Sequence, residues 1–267
     1  MDNLPTIPGL LTGVSNRFAF AAMQAVAHHP NMFYNPLWVY GPSGTGKSTL
    51  LHTALRQMQE DHPELRIRFI EAEEYIQKYL AALQTNTQAE FRARFFDTDV
   101  LALDHAEYFL GKTFTQLTLA RELARLANLG HQVILVSTCP ATDLEELHQY
   151  LPRNCEWYLQ ADIQTPTDGE RMAMVRQIAR ELDLQLPEPM AHRIVQATRT
   201  YCHVHSILNH LSARLKLLGP DAVDLSKVLD TLLKQEVPAW STPRRYPRRT
   251  VLFHRRENAR PVPVDEG

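Results

Sequence analysis

The residues with the plainest chemistry form one unbroken stretch, Gly41-Pro42-Ser43-Gly44-Thr45-Gly46-Lys47-Ser48-Thr49. Gly41, four residues, and then Gly46-Lys47-Ser48 match G-x-x-x-x-G-K-[ST], in which main-chain N–H groups curl around phosphates because glycine lets the backbone approach closely. Lys47 is expected to reach the β- and γ-phosphates, and Ser48 to hold Mg²⁺. The helix opening near Gly46 adds the positive end of its dipole. Two further groups join this site by the logic of phosphate chemistry. Asp104 ends the apolar run Val100-Leu101-Ala102-Leu103, where such a site places the carboxylate that holds Mg²⁺ through water, facing Ser48. A lone strand-end Asp also serves as a turn cap. Thr138 ends a neighbouring apolar run, and its hydroxyl either lies near the γ-phosphate or merely finishes the strand.

These residues need elements to hold them, and the chain supplies them in alternation. Residues 1–12 (Pro5, Pro8, Gly9) read as an irregular lead-in. Ser15 or Asn16 can cap an alanine-rich helix to about His28, which His29-Pro30 ends. Leu37–Tyr40 is a strand, the phosphate loop follows, and a helix runs to about Glu60. Arg66–Glu71, Val100–Asp104 and Val133–Thr138 read as further strands, with Trp157–Leu159 as one more. Tyr75–Leu83, Thr87–Phe96 and Thr115–Leu129 have helical spacing. Strands apolar right through, alternating with helices, imply an α/β domain over residues 13–164 with a parallel sheet covered on both faces.

From Thr165 the pattern changes. Thr167-Asp168-Gly169-Glu170 is a capping-box arrangement opening a helix to about Leu182, and Pro187–Thr198, Val204–Leu217 and Leu225–Gln235 follow as helices. Four helices and no strands make a small helical lid over residues 165–240. Residues 241–267 carry seven Arg against three acids, a charge of +4, while the other 240 residues hold 21 Lys+Arg and 27 Asp+Glu, a charge of −6. Broad duplex contact relies on phosphate neutralisation, so the acidic body argues against it. The tail Arg244-Arg245-Tyr246-Pro247-Arg248-Arg249, with His254-Arg255-Arg256, suits nucleic acid or an acidic partner, or is a solvated extension without one.

At 267 residues and 44% hydrophobic, the chain can build a real core. No apolar run approaches the roughly eighteen residues of a membrane span, and the N-terminus lacks the layout of a signal peptide, so a cytoplasmic protein without membrane contact is expected. Cys139, Cys155 and Cys202 are odd in number and far apart, which reads as reduced structural thiols. His203, His205 and His210 do not share one helix face, so they make no three-His metal site.

The segments Gly13-Val14-Ser15-Asn16-Arg17-Phe18-Ala19, Tyr34-Asn35-Pro36-Leu37, the phosphate loop with Leu50-Leu51-His52, Glu90-Phe91-Arg92, Asp99-Val100-Leu101 with Asp104, Gly111-Lys112, and Glu156-Trp157 with Ala161-Asp162-Ile163-Gln164 stand in a fixed order and spacing. Together they resemble, over about residues 13–217, the AAA+ domain of the bacterial replication initiator DnaA and its shorter relative Hda. The resemblance implies an ATP- or ADP-binding module with Ser15-Asn16 packed by the adenine. It also implies that residues near Tyr75–Phe96 form the family's extra helices, which with the loop after the Asp strand help the initiator grip single-stranded DNA.

The departures from that pattern are as informative. The family's second acid after the Mg²⁺ aspartate falls on His105, its arginine finger on Asn154 beside Arg153, and its γ-phosphate-sensing lid arginine on Cys202. An arginine finger contributes about 10³–10⁵ in rate where it operates. Three changed catalytic aids imply kept binding and degenerate turnover. Phe114 stands where the initiator has a basic residue, too few residues follow the lid for a helix-turn-helix domain, and no sliding-clamp peptide opens the chain. The expectation is a nucleotide-dependent regulator contacting another AAA+ protein, the initiator or a second copy. Two alternatives stand beside it: an active ATPase completed by a partner's arginine, and a nucleic-acid-binding module working through the Arg-rich tail.

Overall fold

The computed structural model describes residues 11–150, 158–219 and 224–240. The N-terminal lead-in up to residue 10, Arg153, Asn154, Cys155, Glu156-Trp157 and the Arg-rich tail lie outside the described residues.

Five parallel strands, β1 (Leu37–Tyr40), β2 (Ile67–Glu71), β3 (Val100–Asp104), β4 (Gln132–Ser137) and β5 (Leu159–Asp162), form one sheet in the order β2-β3-β4-β1-β5. Alternation along each strand sorts the side chains into two cores. Trp38, Leu101, Leu103, Val133 and Leu135 face one way, onto α3 (Ala72–Gln84), α4 (Gln88–Phe95), α5 (Thr113–Asn128) and α6 (Glu145–Tyr150). Leu37, Val39, Val100, Ala102, Ile134 and Val136 face the other, onto α1 (Arg17–His28) and α2 (Lys47–Asp61). The central strands are apolar throughout because neither face meets water. On the first face Tyr75 of α3 anchors α4, its ring meeting Phe91, Phe95, Phe96 and Phe109 at 5.1–6.3 Å between centroids. Offset and edge-on aromatic contacts of this kind add to simple area burial.

The fifth strand is displaced from its expected place: it begins at Leu159, in register with Leu37, and runs to Asp162. Leu-Gln-Ala-Asp alternates because β5 is an edge strand with only β1 beside it, and so lacks the solid apolar signature of β3 and β4. β4 ends one residue before the expected Thr138, at Ser137, leaving Thr138 just past it.

A separate core joins α7 (Asp168–Glu181), α8 (Glu188–Ala197), α9 (Tyr201–Leu218) and α10 (Leu225–Trp240) through Val175, Ile194, Val204, Ile207, Leu211 and Leu229. Thr167 and Glu170 form the expected capping box on α7: each side chain accepts the other's backbone N–H. Helix α9 opens three residues earlier than its apolar spacing suggests, at Tyr201, which puts Cys202 in its first turn. Among the described residues, no helix is long and apolar enough to cross a membrane.

Candidate nucleotide site

Parallel pairing brings the C-terminal ends of β1, β3 and β4 to one edge of the sheet, with Tyr40 in register with Ser137 and Glu71 with Asp104. Crevices outside such strand ends are where open α/β sheets bind ligands. The phosphate loop leaves β1 there. Gly41 donates its N–H to Ser137 O (3.3 Å), and its own Cα is so close to β5 that an added Cβ would lie 2.1 Å from Ile163 O. Gly44 and Gly46 have φ of +78° and +93°, the left-handed region that a side chain disfavours. Gly46 is thereby the N-cap of α2 without any side-chain cap, so the first amides of α2 keep their donors for an anion. Thr45 Oγ1 donates to Pro42 O at 2.8 Å and holds the loop closed on itself.

Lys47 is buried, and its amine donates to Gly41 O and Pro42 O, both at 2.8 Å. Burial pulls its pKa below the ordinary lysine value, and the negative charges of Glu107 and Asp104 oppose that shift. The ammonium is therefore held inside the loop it would share with phosphates. Asp104, 3% exposed, ends β3 and accepts the His105 N–H at 2.7 Å. Ser48 follows Lys47 at the start of α2. A hydroxyl and a carboxylate are hard oxygen donors of the kind Mg²⁺ takes, with waters completing its octahedron. The donor set fits that ion.

The N-terminal segment joins the lid on the flank of this cradle. Of the two cap candidates, Asn16 is the N-cap residue of α1, but its side chain makes no capping bond. Asn16 Oδ1 accepts the Gly13 N–H (2.8 Å) and its Nδ2 donates to Leu11 O (2.8 Å), so the side chain folds the preceding loop. Ser15 gives its N–H and its hydroxyl to Glu170 Oε1 on α7, at 3.0 and 2.9 Å, while Gln164 N–H donates to Ser15 O at 2.8 Å. Glu170 Oε2 meanwhile accepts the N–H and hydroxyl of Thr167. Burial alone would raise the Glu170 pKa, yet these donors together hold it below the ordinary glutamate value. One carboxylate thus ties the Ser15-Asn16 segment to the lid. The lid also meets the phosphate loop: Cys202 N–H donates to Gly44 O at 3.1 Å, and a Cβ on Gly44 would lie 2.8 Å from Thr200 Oγ1. Thr200 Oγ1, buried where the lid meets Gly44, has no hydrogen-bond partner within the protein and is the kind of group that a ligand or water satisfies.

Glu107 was missed in reading the chain. It is 1% exposed, and its Oε2 accepts the Thr138 N–H (3.0 Å) and the Ser137 hydroxyl (3.3 Å) while His105 Nδ1 lies 3.2 Å from Oε1. Burial alone would raise its pKa, but the hydrogen bonds from His105 and Thr138 outweigh burial and hold it ionised. The same bond raises the His105 pKa. The spacing Asp104-x-x-Glu107, with the Glu just past an apolar strand end, was the available signal. Thr138 is brought to the site mainly through this backbone contact. Cys139 and Cys202 are free thiols; burial first of all raises the Cys139 pKa.

The family described as the bacterial DnaA ATPase domain matches residues 4–162, more than half of the chain. The chromosomal replication initiator protein DnaA of Clavibacter sepedonicus is 32% identical over 223 residues, 83% of this chain and 46% of that protein. The chain thus spans about half the length of the curated relatives it matches. Domain III of the Thermotoga maritima initiator DnaA superposes with a TM-score of 0.76 at 24% identity, covering 85% of this chain and 95% of that one. A replication initiator DnaA bound to AMPPCP and single-stranded DNA superposes with a TM-score of 0.71 at 23% identity, covering 82% of this chain and 67% of that one. The two superpositions establish the AAA+ fold, with the parallel sheet and helical lid expected from the sequence. The protein belongs to the family of the bacterial DnaA ATPase domain.

Proposed function

We propose that the chain is an adenine-nucleotide-binding AAA+ regulatory module that holds ATP or ADP with Mg²⁺, turns it over slowly, and uses it to set contacts with another AAA+ protein in replication control. What supports the reading is a complete phosphate loop, with Lys47 buried against it and Asp104 buried at the end of β3, beside α9, whose first turn carries Cys202 where the resemblance calls for a γ-phosphate-sensing arginine. A cysteine side chain is short and has no guanidinium to set against phosphate charge. On this reading Gly41, Pro42, Ser43, Gly44, Thr45, Gly46, Lys47, Ser48 and Thr49 wrap the phosphates, Ser15 and Asn16 lie by the adenine, and Ser48 and Asp104 hold Mg²⁺.

Binding in this picture replaces the carbonyls that Lys47 now touches with phosphate oxygens, and loads the seam where the lid meets Gly44. The partner is an initiator relative or a second copy of this chain. That the matched relatives are replication initiators, one of them with AMPPCP and single-stranded DNA, supports the replication setting. Steady-state phosphate release by the isolated chain tests the turnover half of the proposal. Release close to the uncatalysed background supports it, and brisk release that vanishes in Lys47→Ala overturns it.

A further inference from the structure

The position of Glu107 bears on which nucleotide the site prefers, an inference that rests on the nucleotide-binding reading above. Three features link its carboxylate to the phosphate loop. Ser137, whose hydroxyl it holds at 3.3 Å, is the register partner of Tyr40 and accepts the N–H of Gly41, the first residue of the phosphate loop. Thr138, whose N–H it takes at 3.0 Å, is the next residue of the same strand end. Glu107 also acts electrostatically on the Lys47 amine, as the first of the two carboxylates that do so. The Ser137 hydroxyl and the Thr138 N–H at the end of β4 are therefore already engaged by a buried anion.

We propose that Glu107 is a specificity-determining residue that disfavours a third phosphate, so that a nucleoside diphosphate with Mg²⁺ binds more tightly than the corresponding triphosphate. A γ-phosphate entering beside Glu107 meets a fixed like charge in a poorly solvated corner. It also finds the Thr138 amide and the Ser137 hydroxyl committed elsewhere. The β-phosphate is spared both costs because the loop amides and Lys47 hold it. The His105 ring, 44% exposed at its side chain, lies on the other oxygen of Glu107 and does not relieve the crowding at Oε2. A unit charge acting through a partly screened interior changes an anion's affinity by about tenfold or more.

The test is isothermal calorimetry on the full chain with Mg²⁺, comparing ADP with the non-hydrolysable triphosphate analogue AMPPCP in the wild type and in Glu107→Gln. The amide keeps the shape and an acceptor while removing the charge. The expected wild-type preference is about tenfold for ADP, and in Glu107→Gln the ratio moves toward one by tighter AMPPCP binding. A wild-type ratio of one or below overturns the proposal, as does a ratio that Glu107→Gln leaves unchanged. The wild-type ratio decides alone should the variant fail to fold. Absence of binding by either nucleotide overturns the nucleotide-site reading as well, whereas equal binding overturns only the role of Glu107.

Discussion

Glu170→Ala is the perturbation that most sharply examines how the lid is tied to the rest of the molecule. The side chain does two things at once: Oε2 closes the α7 capping box with Thr167, and Oε1 accepts two bonds from Ser15, 155 residues away in sequence. Losing the two bonds from Thr167 to Oε2 costs about 1 kcal/mol. The two bonds to a charged acceptor contribute about 1–2 kcal/mol together after discounting for the solvent near this partly exposed group. The sum is about 2–3 kcal/mol, and at roughly 2–4 °C per kcal/mol for a chain of this size the melting temperature falls by about 4–12 °C. Thr167→Ala removes the cap while leaving the Ser15 bonds, so it costs only about 1 kcal/mol. Thermal melts followed by circular dichroism compare the two variants directly. If Glu170→Ala melts no lower than Thr167→Ala, the Ser15 bonds contribute nothing and the tie between segment and lid is without energetic weight.

The same carboxylate predicts a pH dependence. Because the Glu170 pKa lies below its ordinary value of 4.5 in the folded chain, its stabilisation is complete above that value and is lost as the pH falls through the lower folded one. The melting difference between wild type and Glu170→Gln therefore narrows on acidification below about pH 4.5 and stays constant from there to neutrality. Gly41→Ala places a Cβ 2.1 Å from the Ile163 carbonyl, a main-chain atom that can yield only by shifting β5, and costs about 1–3 kcal/mol together with nucleotide binding. Gly130→Ala is the matched control: its φ of +79° is strained, but nothing lies within 4 Å, so chemical denaturation shows a loss of only about 1 kcal/mol with binding intact.

What was legible in the chain was whatever announces itself locally. The phosphate loop is visible because glycines, lysine and serine fall at fixed spacing between an apolar strand and a helix. β3 and β4 are visible because burial on both faces leaves no polar residue within Val100–Leu103 or Val133–Val136. The capping box on α7 is likewise a four-residue signal. What escaped depended on distant partners. Ser15 looks like a cap for α1 until Glu170 is found on the lid, and Glu107 looks like a solvated turn residue until the end of β4 folds over it and supplies two donors. Short α6 has too few residues for periodicity to show, and β5 alternates because an edge strand has one bonded neighbour. The Lys47 contacts with Gly41 O and Pro42 O were also unreadable, since they depend on how the backbone angles of the loop before α2 fold its carbonyls back over the helix start.

Equilibrium dialysis of the chain against Mg²⁺ and radiolabelled ADP measures the central claim most directly, because it asks only whether the loop after β1 takes up a nucleotide. The account predicts saturation near one ADP per chain in the wild type and none in Lys47→Ala with the fold intact by circular dichroism. No retained ADP in the folded wild type, or equal retention in Lys47→Ala, would contradict it.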